Sequence, residues 1–533
     1  MAVEEQDYDV VVIGGGAAGL SGALALARSR RSVLVVDSGE PRNAPAGHMH
    51  NVLGRDGVPP GELLAAGRAE VEGYGARFEP ARAESAVKDE DGFRVTLEGG
   101  RVVRGRRLLV TTGLVDELPQ VPGLADRWGR DVAHCPYCHG WELRDQRIGV
   151  IVSGPMSVHQ AQMWRQLSDR VMLLLNGSAE PAGEKAEELA ARGIPVVPGV
   201  IEALETGDDR LTGVRLAGGH VVGLDAIVVG PRFAARSGFA ESLGLKAAEF
   251  EMHGISLGSR IPADEMGATS VPGVWVAGNV TNLGATVGVA MAAGQTAGAA
   301  INMDLIAEDT RVAVAGYRDR IATMFEENAW EDRYRGKDAI WSGRPNPVLV
   351  TEATGLDTGR ALDVGCGEGA DAVWLARQGW QVTAVDISTV ALGRAAGHAQ
   401  EAGVGDRITF RHTDLRSEQD QPIAEYDLVS AQFMHLPPDA RRELYTRLAG
   451  AVAPGGILLV AGHHPRDLAG FVGRMHFPDM LFTPEEIAGL LTPGQWEIVT
   501  AEARPRPGRD PEGNEITMHD AVLVARRTGP KKG

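Results

Sequence analysis

The chain of 533 residues is too long for one ordinary hydrophobic core and has room for about three or four domains of typical size. Its 44% hydrophobic and 23% charged residues are typical of a globular protein, and its 69 glycines favour nucleotide-binding α/β folds, in which the backbone approaches the ligand closely. The formal net charge of −18 repels phosphate backbones and anionic membranes, so we expect neither nucleic acid nor a membrane as a partner.

The first residues carry acids where a signal peptide would carry a basic region and an apolar core, so we expect no such peptide. No run of about 18 apolar residues indicates a membrane span. Three cysteines, Cys135, Cys138 and Cys366, do not make a disulfide framework. These features predict a cytoplasmic protein.

The first predicted strand, at residues 9–13, leads into a glycine-rich turn that contains Gly14, Gly16 and Gly19. A predicted helix follows, and the next strand ends in Asp37. In this G-x-G-x-x-G arrangement the glycines let the backbone approach a pyrophosphate at a helix N-terminus, and the acid can bond a ribose hydroxyl. The pattern therefore predicts a dinucleotide site.

Residues 134–142 read His-Cys-Pro-Tyr-Cys-His-Gly-Trp-Glu, and their C-x-x-C-H motif fits three chemistries. It could be a redox dithiol, half of a zinc site or a site of covalent haem attachment. Covalent haem normally belongs outside the cytoplasm, and a cysteine-based zinc site needs about four ligands. We therefore favour a redox pair of Cys135 and Cys138 and predict no metal, although a metal or structural role stays open at this point.

Two later segments, residues 108–113 and 271–279, are predicted strands that end in small-residue turns. With the first glycine turn and the C-x-x-C motif, they resemble the low-molecular-weight thioredoxin reductase family over about residues 8–305. The resemblance implies an FAD-binding domain in two parts (1–115 and 246–305), an inserted redox and NAD(P)-binding domain (116–245), and a homodimer. It also implies FAD contacts from Gly14, Gly16, Gly19, Asp37, Thr112, Gly113, Gly278 and Asn279.

The inserted domain departs from that family at its nicotinamide loop. Val152 stands where the tight-turn glycine is expected, and only Gly154 keeps a fingerprint position. The next strand ends in Asn176 and Gly177, without the basic cluster that reads a 2′-phosphate. We therefore predict a degenerate NAD(P) site and leave the use of NAD(P)H open. Asn279 replaces the family's aspartate, but its amide oxygen can still accept a hydrogen bond from FAD.

His139 stands where the family has an acid that handles protons during dithiol exchange. The C-x-x-C-H form resembles a branch of dithiol oxidases that close disulfides in sulfur-containing natural products. By this resemblance Cys138 faces the flavin, Cys135 exchanges with the partner sulfur and His139 carries protons. The expected partner is a small dithiol or disulfide, or a thioredoxin-like protein.

Residues 306–325 are polar and predict a linker, after which a second glycine pattern begins. A strand leads into a D-x-G-x-G-x-G loop, and the next strand ends in Asp386. This region, residues 326–528, resembles the class I S-adenosylmethionine (SAM)-dependent methyltransferases. The resemblance implies that the glycine loop passes the methionine moiety, that Asp386 holds the ribose and that Asp414 contacts adenine. The predicted SAM residues are Asp363, Gly365, Gly367, Gly369, Asp386 and Asp414.

The stretch after the fourth strand, residues 430–438, lacks the N-P-P-Y motif of DNA amino-methyltransferases, which favours a small-molecule methyl acceptor. An aromatic segment at residues 330–345 is similar to thiopurine- and tellurite-type methyltransferases, which act on soft nucleophiles such as thiols. His435, His463 and His464 could act as general bases. Because a soft thiolate needs little base assistance, we favour structural roles for them.

The sequence thus predicts an α/β protein with a split FAD-binding Rossmann-like domain, an inserted Rossmann-like domain and a class I methyltransferase domain. We interpret it as a bifunctional enzyme, an FAD-dependent dithiol/disulfide oxidoreductase fused to a SAM-dependent methyltransferase, with both halves acting on sulfur. One alternative is an NAD(P)H-dependent thioredoxin-disulfide reductase fused to a methyltransferase of unrelated substrate. Another is a flavin and dithiol sensor that gates methyl transfer.

Overall fold

A computed structural model describes residues 7–252, 254–415, 425–470, 478–509 and 513–529. The chain divides into two compact units, Met1–Val312 and Ala313–Gly533. Within the described residues, no helix combines the length and apolar character needed to cross a membrane. The predicted α/β fold class is confirmed in both units.

The first unit begins with the elements of one sheet and its helices. They are β1 (Asp7–Ile13), α1 (Ala17–Arg28), β2 (Val33–Asp37), α2 (Pro60–Gly73), β3 (Arg77–Pro80), β4 (Ala83–Lys88), β5 (Phe93–Leu97), β6 (Val102–Val110) and β7 (Leu114–Glu117). The inserted region then supplies β8 (Val132–Ala133), α3 (Pro136–His139), β9 (Ile148–Ile151), α4 (Ser157–Trp164), β10 (Val171–Leu174), α5 (Glu184–Ala191), β11 (Val196–Val197), β12 (Ile201–Gly207), β13 (Arg210–Leu216), β14 (Val221–Gly223) and β15 (Ala226–Val229). The unit closes with β16 (Arg232–Ala235), α6 (Gly238–Glu241), β17 (Ala248–Met252), β18 (Ile255–Arg260), β19 (Val274–Val276) and α7 (Val287–Thr323).

The first sheet has the order β3-β2-β1-β6-β5-β4, and β19 pairs with β6 in parallel. The carboxyl-terminal parts of its central strands β1 and β6 are apolar and buried, because helices α1 and α7 pack on one face and other apolar residues on the other. Since β19 comes from the chain beyond the inserted region, two separated parts of the sequence build one domain. The expected split of this domain is therefore observed.

The inserted region forms a parallel sheet in the order β11-β10-β9-β15-β8, beside the antiparallel sheet β12-β13-β14. It ends earlier than residue 245. Strand β16 pairs with β7, and Phe239, Ala240 and Leu245 pack in the core of the first sheet. The predicted boundary at residue 245 is therefore too late, because the chain returns to the first domain directly after β15.

The predicted linker at residues 306–325 is largely helical, since α7 continues through it as far as Thr323, and the division between the two compact units after Val312 falls within this range. Its polar composition reflects a helix with exposed faces rather than a break in secondary structure. Arg106 and Arg107 on β6 hold this helix through ion pairs with Asp304, Glu308 and Asp309.

The second unit contains α8 (Glu327–Arg335), α9 (Pro347–Ala353), β20 (Arg360–Val364), α10 (Ala370–Arg377), β21 (Gln381–Asp386), α11 (Thr389–Glu401), β22 (Ile408–His412), β23 (Tyr426–Gln432), α12 (Pro438–Ala451), β24 (Val452–His463), α13 (Pro484–Ala488), β25 (Trp496–Arg509) and β26 (Glu515–Arg527). Its sheet has the order β22-β21-β20-β23-β24-β26-β25, with β26 antiparallel to both of its neighbours. The first five strands in this order are parallel, so the loops at their carboxyl ends share one edge.

Candidate active sites

A cavity of about 1030 Å³ opens at the carboxyl ends of β1, β2 and β6 in the first unit. This volume is at the upper end of the range of about 300–1,000 Å³ found for small-molecule sites. Ten of the sequence-predicted residues line this cavity, namely Gly14, Gly16, Asp37, Thr112, Gly113, Cys135, Cys138, His139, Gly278 and Asn279. Their proposed roles in binding and catalysis remain predictions.

The glycine turn of this cavity is closely packed on one side and open on the other. A Cβ on Gly14 would lie 2.6 Å from the carbonyl oxygen of Thr111, and one on Gly19 would lie 1.9 Å from the carbonyl oxygen of Gly14. Gly16 has open space around it, and no side chain among the described residues caps helix α1. Gly19 thus lets the helix approach the strand, while the N–H groups at the start of α1 remain available to an anion.

Three side chains fix the loops around the glycine turn. Asp37 accepts a hydrogen bond from the backbone N–H of Gly15 at 3.0 Å. Thr111 donates its hydroxyl to the carbonyl oxygens of Ile13 and Gly14, although sequence analysis had singled out its neighbour. Thr112 instead donates to the carbonyl oxygen of Arg236 at 2.8 Å. The small-residue turn after β6 was the available signal, but it did not show which threonine holds the glycine loop.

Asn279 organises the turn that begins at Gly278. Its amide nitrogen donates to the carbonyl oxygens of Asn282 at 3.2 Å and Ala285 at 3.0 Å. Gly278 has φ of +78°, which a glycine adopts without strain. Together with the open Gly16 and the uncapped α1, these residues fit a bound flavin dinucleotide.

The two cysteines lie in the same cavity at the start of helix α3. Cys135 precedes the helix, and Cys138 donates its S–H to Cys135 across 2.7 Å, with both cysteines in the reduced form. This hydrogen bond lowers the pKa of Cys135 to about 7, assisted by the N–H groups of Cys138 and Tyr137. The same contact raises the pKa of Cys138. Cys135 is therefore the more readily ionised thiol of the pair.

His139 follows Cys138 directly, and neither of its ring nitrogens has a hydrogen-bond partner within the described residues. Burial lowers its pKa, so the ring is neutral at pH 7 and can accept a proton. Glu142 and His50 are its titratable neighbours, and His50 Nε2 lies 3.4 Å from Glu142 Oε1. His134, by contrast, is held by the carbonyl oxygen of Val229 at 3.2 Å.

The corresponding loop of the inserted domain, between β9 and α4, is closed by its own side chains. The hydroxyl of Ser157 accepts hydrogen bonds from the N–H groups of Ser153 at 3.1 Å and Gly154 at 3.3 Å. Ser153 in turn donates to the carbonyl oxygen of Gly230 at 2.8 Å. These N–H groups would have to bind the phosphates of a nicotinamide nucleotide, so the loop as folded does not fit one.

The turn after strand β10 also uses its polar side chain for a hydrogen bond within the protein. Asn176 has φ of +47°, and its side-chain oxygen accepts a hydrogen bond from the N–H of Ile201 at 2.9 Å. This position follows the second strand, where a Rossmann site holds the ribose of its nucleotide. The side chain at this second nucleotide position therefore also bonds within the protein.

In the second unit, the glycine loop follows β20 as predicted. Gly365, Gly367 and Gly369 have φ of +65°, +52° and +85°, which explains the three glycines. Asp386 at the end of β21 accepts hydrogen bonds from the N–H groups of Gly367 at 2.8 Å and Ser388 at 2.9 Å. Asp414, which was predicted to contact adenine, is half-buried just after β22.

Two side-chain oxygens at this edge of the sheet are buried without a hydrogen-bond partner among the described residues. They are Oδ2 of Asp363 and Oε1 of Gln432. Burial, followed by the charges of Asp371 and Asp386, raises the pKa of Asp363. Unsatisfied buried acceptors beside a glycine loop fit a ligand with donor groups, such as the ammonium group and hydroxyls of SAM.

The aromatic segment (residues 330–345) packs on the glycine loop. Trp341 donates its indole N–H to the hydroxyl of Tyr334 at 3.0 Å, and a Cβ on Gly367 would lie 3.0 Å from both of these polar atoms. Glu368 accepts the backbone N–H of Trp341 and pairs with Arg394 at 2.8 Å. The segment is thus held against the residues predicted to bind SAM.

Comparison with known families matches residues 8–295 to the pyridine nucleotide-disulphide oxidoreductases and residues 361–456 to a methyltransferase domain. The first match implies a flavin and a nicotinamide nucleotide, and the second implies SAM. Thioredoxin reductase tcpT of Claviceps purpurea (strain 20.1) is 35% identical over 252 residues, which cover 45% of this chain and 78% of the relative. Thioredoxin reductase sirT of Leptosphaeria maculans is 31% identical over 327 residues, covering 58% and 98%.

Among solved structures, HlmI is 44% identical with a TM-score of 0.55, and the match covers 59% of this chain and 97% of that protein. An oxidoreductase from Agrobacterium tumefaciens is 37% identical with a TM-score of 0.52, covering 56% and 99%. The family matches, together with these relatives and structures, confirm the predicted combination of a thioredoxin reductase-like region and a methyltransferase domain in one enzyme.

Proposed function

Since the chain belongs to the pyridine nucleotide-disulphide oxidoreductase family and carries a methyltransferase domain, we propose that it modifies sulfur in small molecules in two ways. The flavin half oxidises a small dithiol to its disulfide and transfers the electrons to oxygen. The methyltransferase half places a methyl group from SAM on a small-molecule thiol. The two products differ in reversibility, because a disulfide can be reduced again whereas a thioether cannot.

The observation that carries this proposal is the contrast between the two nucleotide loops of the first unit. The flavin loop leaves its helix uncapped and open to a cavity. In the nicotinamide loop, the N–H groups of Ser153 and Gly154 donate to the hydroxyl of Ser157. An oxidase fed by a dithiol has no need of a nicotinamide donor, so a closed loop is compatible with this direction of electron flow.

The cysteine pair can perform the exchange by itself. A substrate thiolate attacks Sγ of Cys135 in the oxidised pair, the Cys135–Cys138 bond breaks, and Cys138 leaves with the electron pair. The second substrate thiolate then displaces Cys135, which leaves readily because its pKa is about 7. His139 takes up a proton released by the substrate. The flavin, when bound, supplies the two-electron acceptor that reoxidises the pair.

On the methyltransferase side, a soft sulfur nucleophile suits the reaction because SAM supplies an electrophilic methyl group. The aromatic segment is held on the glycine loop by Glu368 and Tyr334, beside the residues predicted to bind SAM. Its resemblance to thiopurine- and tellurite-type methyltransferases supports a thiol as the acceptor.

Anaerobic mixing of the purified flavoprotein with NADPH, NADH or dithiothreitol tests the direction of electron flow. We expect the dithiol to bleach the flavin rapidly and both nicotinamides to bleach it slowly, as absorbance changes near the flavin maximum report. The matched control is the Cys135→Ser variant, in which the dithiol should no longer bleach the flavin. Rapid bleaching by NADPH and none by the dithiol would contradict the oxidase proposal.

A second candidate, an NAD(P)H-dependent disulfide reductase, is favoured by the names of the relatives tcpT and sirT, which are thioredoxin reductases. It requires the loop at residues 152–157 to open when a nucleotide binds. Consumption of NADPH in the presence of thioredoxin and its absence with a small dithiol alone would favour this candidate.

A further inference from the structure

Arg42, in the loop after β2, lines the same cavity as Cys135 and Cys138. Its guanidinium forms a bidentate ion pair, in which Nε and Nη2 donate to the two carboxylate oxygens of Asp116 at 2.8 and 2.6 Å. Asp116 lies on β7, and only 8% of its side chain is exposed. Because both ends of the pair are held in this planar arrangement, Arg42 places a positive charge at a fixed position in the cavity.

Ring contacts connect this cation with the cysteine segment. The guanidinium of Arg42 lies over the ring of Phe233 at 5.4 Å, and Phe233 is the residue opposite Asp116 in the register of β16 and β7. The ring of His134 meets the ring of Phe233 in a T-shaped contact at 5.4 Å. His134 directly precedes Cys135. Arg42 and the start of the cysteine segment therefore pack against the same aromatic ring.

The charge of Arg42 acts on both sulfurs. The contact with Cys135 and burial raise the pKa of Cys138, whereas Arg42 opposes them and lowers it. The pKa of Cys135, which is lowered chiefly by its contact with Cys138, is lowered further by the same charge. Burial lowers the pKa of His134, and there Arg42 and Asp116 act in opposite directions. The carboxylate thus offsets the cation at the histidine, while at Cys138 the cation prevails.

The two histidines that flank the cysteine pair do not carry such a charge at pH 7. Burial lowers the pKa of both His134 and His139, so their rings are neutral. Arg42 differs from them because a guanidinium is always protonated. The charged or titratable groups that face the pair or its histidines are Arg42 and His50 from the loop after β2, Asp116 from β7, and His134, His139 and Glu142 around α3.

We propose that Arg42 stabilises the thiolate of Cys138 as it leaves Cys135; this inference deepens the proposed dithiol oxidation and rests on its exchange step. A substrate thiolate forms a bond to Sγ of Cys135, the Cys135–Cys138 bond breaks, and Cys138 keeps the electron pair. The negative charge thus moves from the substrate sulfur to Cys138 without transfer of a proton. Since a thiol with a raised pKa is a poor leaving group, a fixed cation beside it speeds this step.

Alkylation of Cys138 measures the effect of the charge without turnover. In the Cys135→Ser background, where Cys138 has lost its partner, we expect Arg42→Gln to raise the midpoint of iodoacetamide alkylation by about one pH unit. Glutamine can still donate a hydrogen bond to Asp116 but carries no charge. Arg42→Lys keeps the charge and should leave the midpoint nearly unchanged. An unchanged midpoint in Arg42→Gln, or an equal rise in Arg42→Lys, would overturn the proposal.

Arg82→Gln is the matched control, because Arg82 lines the same cavity but pairs with Glu40 at 3.0 Å. It removes the same net charge and should not move the midpoint of Cys138. A rise equal to that of Arg42→Gln would overturn the proposal, since net charge alone would then explain it. If Arg42→Gln does not fold, the double change Arg42→Gln with Asp116→Asn removes both charges of the pair. The same rise is expected there, and its absence would overturn the proposal.

Stopped-flow mixing with dithiothreitol tests the leaving step in the full chain with oxidised cysteines. We expect Arg42→Gln to slow the bleaching of the flavin about three- to tenfold and Arg42→Lys to retain most of the rate. A raised alkylation midpoint with an unchanged bleaching rate would overturn the role in this step. If NADPH but not the dithiol bleaches the unchanged protein, the proposed oxidation fails. A raised midpoint in Arg42→Gln would then still support Arg42, because a disulfide reductase uses the same exchange in reverse.

Discussion

The two glycine turns of the first unit, residues 14–19 and 152–157, occupy equivalent positions between a parallel strand and a helix, yet only the first is open. In the first turn, Gly14, Gly16 and the start of α1 line the large cavity, and no described side chain caps that helix. In the second, the hydroxyl of Ser157 takes two backbone N–H groups, and Val152 replaces a glycine. A dinucleotide fold can therefore persist as a scaffold after its phosphate-binding donors have been satisfied internally.

This difference teaches that the fold of a Rossmann-like domain does not establish that it binds a nucleotide. What decides binding is the state of a few backbone N–H groups at the start of a helix. In this chain the inserted domain places Cys135 and Cys138 in the cavity of the first unit, while its own loop between β9 and α4 is closed.

The largest effect is expected from Cys135→Ser. If electrons enter through the cysteine pair and not through the closed loop, this change should lower dithiol oxidation by about 1,000-fold or more while the protein stays yellow. Oxygen consumption with dithiothreitol measures the loss, and absorbance measures flavin content. If the variant still oxidises the dithiol at the normal rate, electrons do not enter through the cysteine pair.

Next in size is Gly19→Ala, which tests the open turn. Its methyl group would lie 1.9 Å from the carbonyl oxygen of Gly14, so the helix must shift. Such overpacking costs about 1–3 kcal/mol, and we expect flavin affinity to fall about 10- to 100-fold. Flavin retained after dialysis reports the change. Gly154→Ala in the closed turn is the matched control, since its methyl group would meet no atom within 4 Å, and it should keep its flavin.

A smaller gain is expected from reopening the closed loop. The double change Val152→Gly with Ser157→Ala removes the bulky residue and releases the N–H groups of Ser153 and Gly154. Two freed N–H donors should improve binding of NADPH by about 1.5 kcal/mol, or roughly tenfold. Faster anaerobic bleaching by NADPH at low concentration checks this expectation. If bleaching is as slow as in the unchanged protein, some other feature prevents nicotinamide binding.

The smallest effect concerns pH. The pKa of Cys135 is lowered from the ordinary thiol value to about 7, so its thiolate form increases as pH rises through 7. In reduced protein, alkylation of Cys135 by iodoacetamide should rise with a midpoint near pH 7 and fall to about one tenth at pH 6. Cys138→Ala removes the S–H donor and should move the midpoint upwards. A midpoint at the ordinary thiol value in unchanged protein would contradict the pairing of the two sulfurs.

The sequence was sufficient for those parts of the fold that depend on local pattern. Apolar strands followed by glycines located Gly14 and Gly365, because a turn with positive φ or close backbone approach admits no other residue easily. The acids that end the following strands, Asp37 and Asp386, lie beside these glycine loops as expected and accept their N–H groups.

Contacts between distant residues could not be predicted in this way. Thr111 supports a loop that lies about a hundred positions earlier, and His463 meets Asp520 across two strands. The closure of the nicotinamide loop depends on one hydroxyl whose direction no pattern reveals. The helical structure of the predicted linker at residues 306–325 could not be derived from composition, because an exposed helix and an irregular segment can have the same polar composition.

Asn279 has a consequence for how such a protein can evolve. Its amide N–H group donates to backbone carbonyl oxygens of Asn282 and Ala285, whereas the aspartate expected from the family resemblance would present a second carboxylate oxygen to them. Aspartate at position 279 would set like partial charges against each other at the turn after Gly278. We therefore expect a change of Asn279 to aspartate to be tolerated only together with another path for residues 282–285.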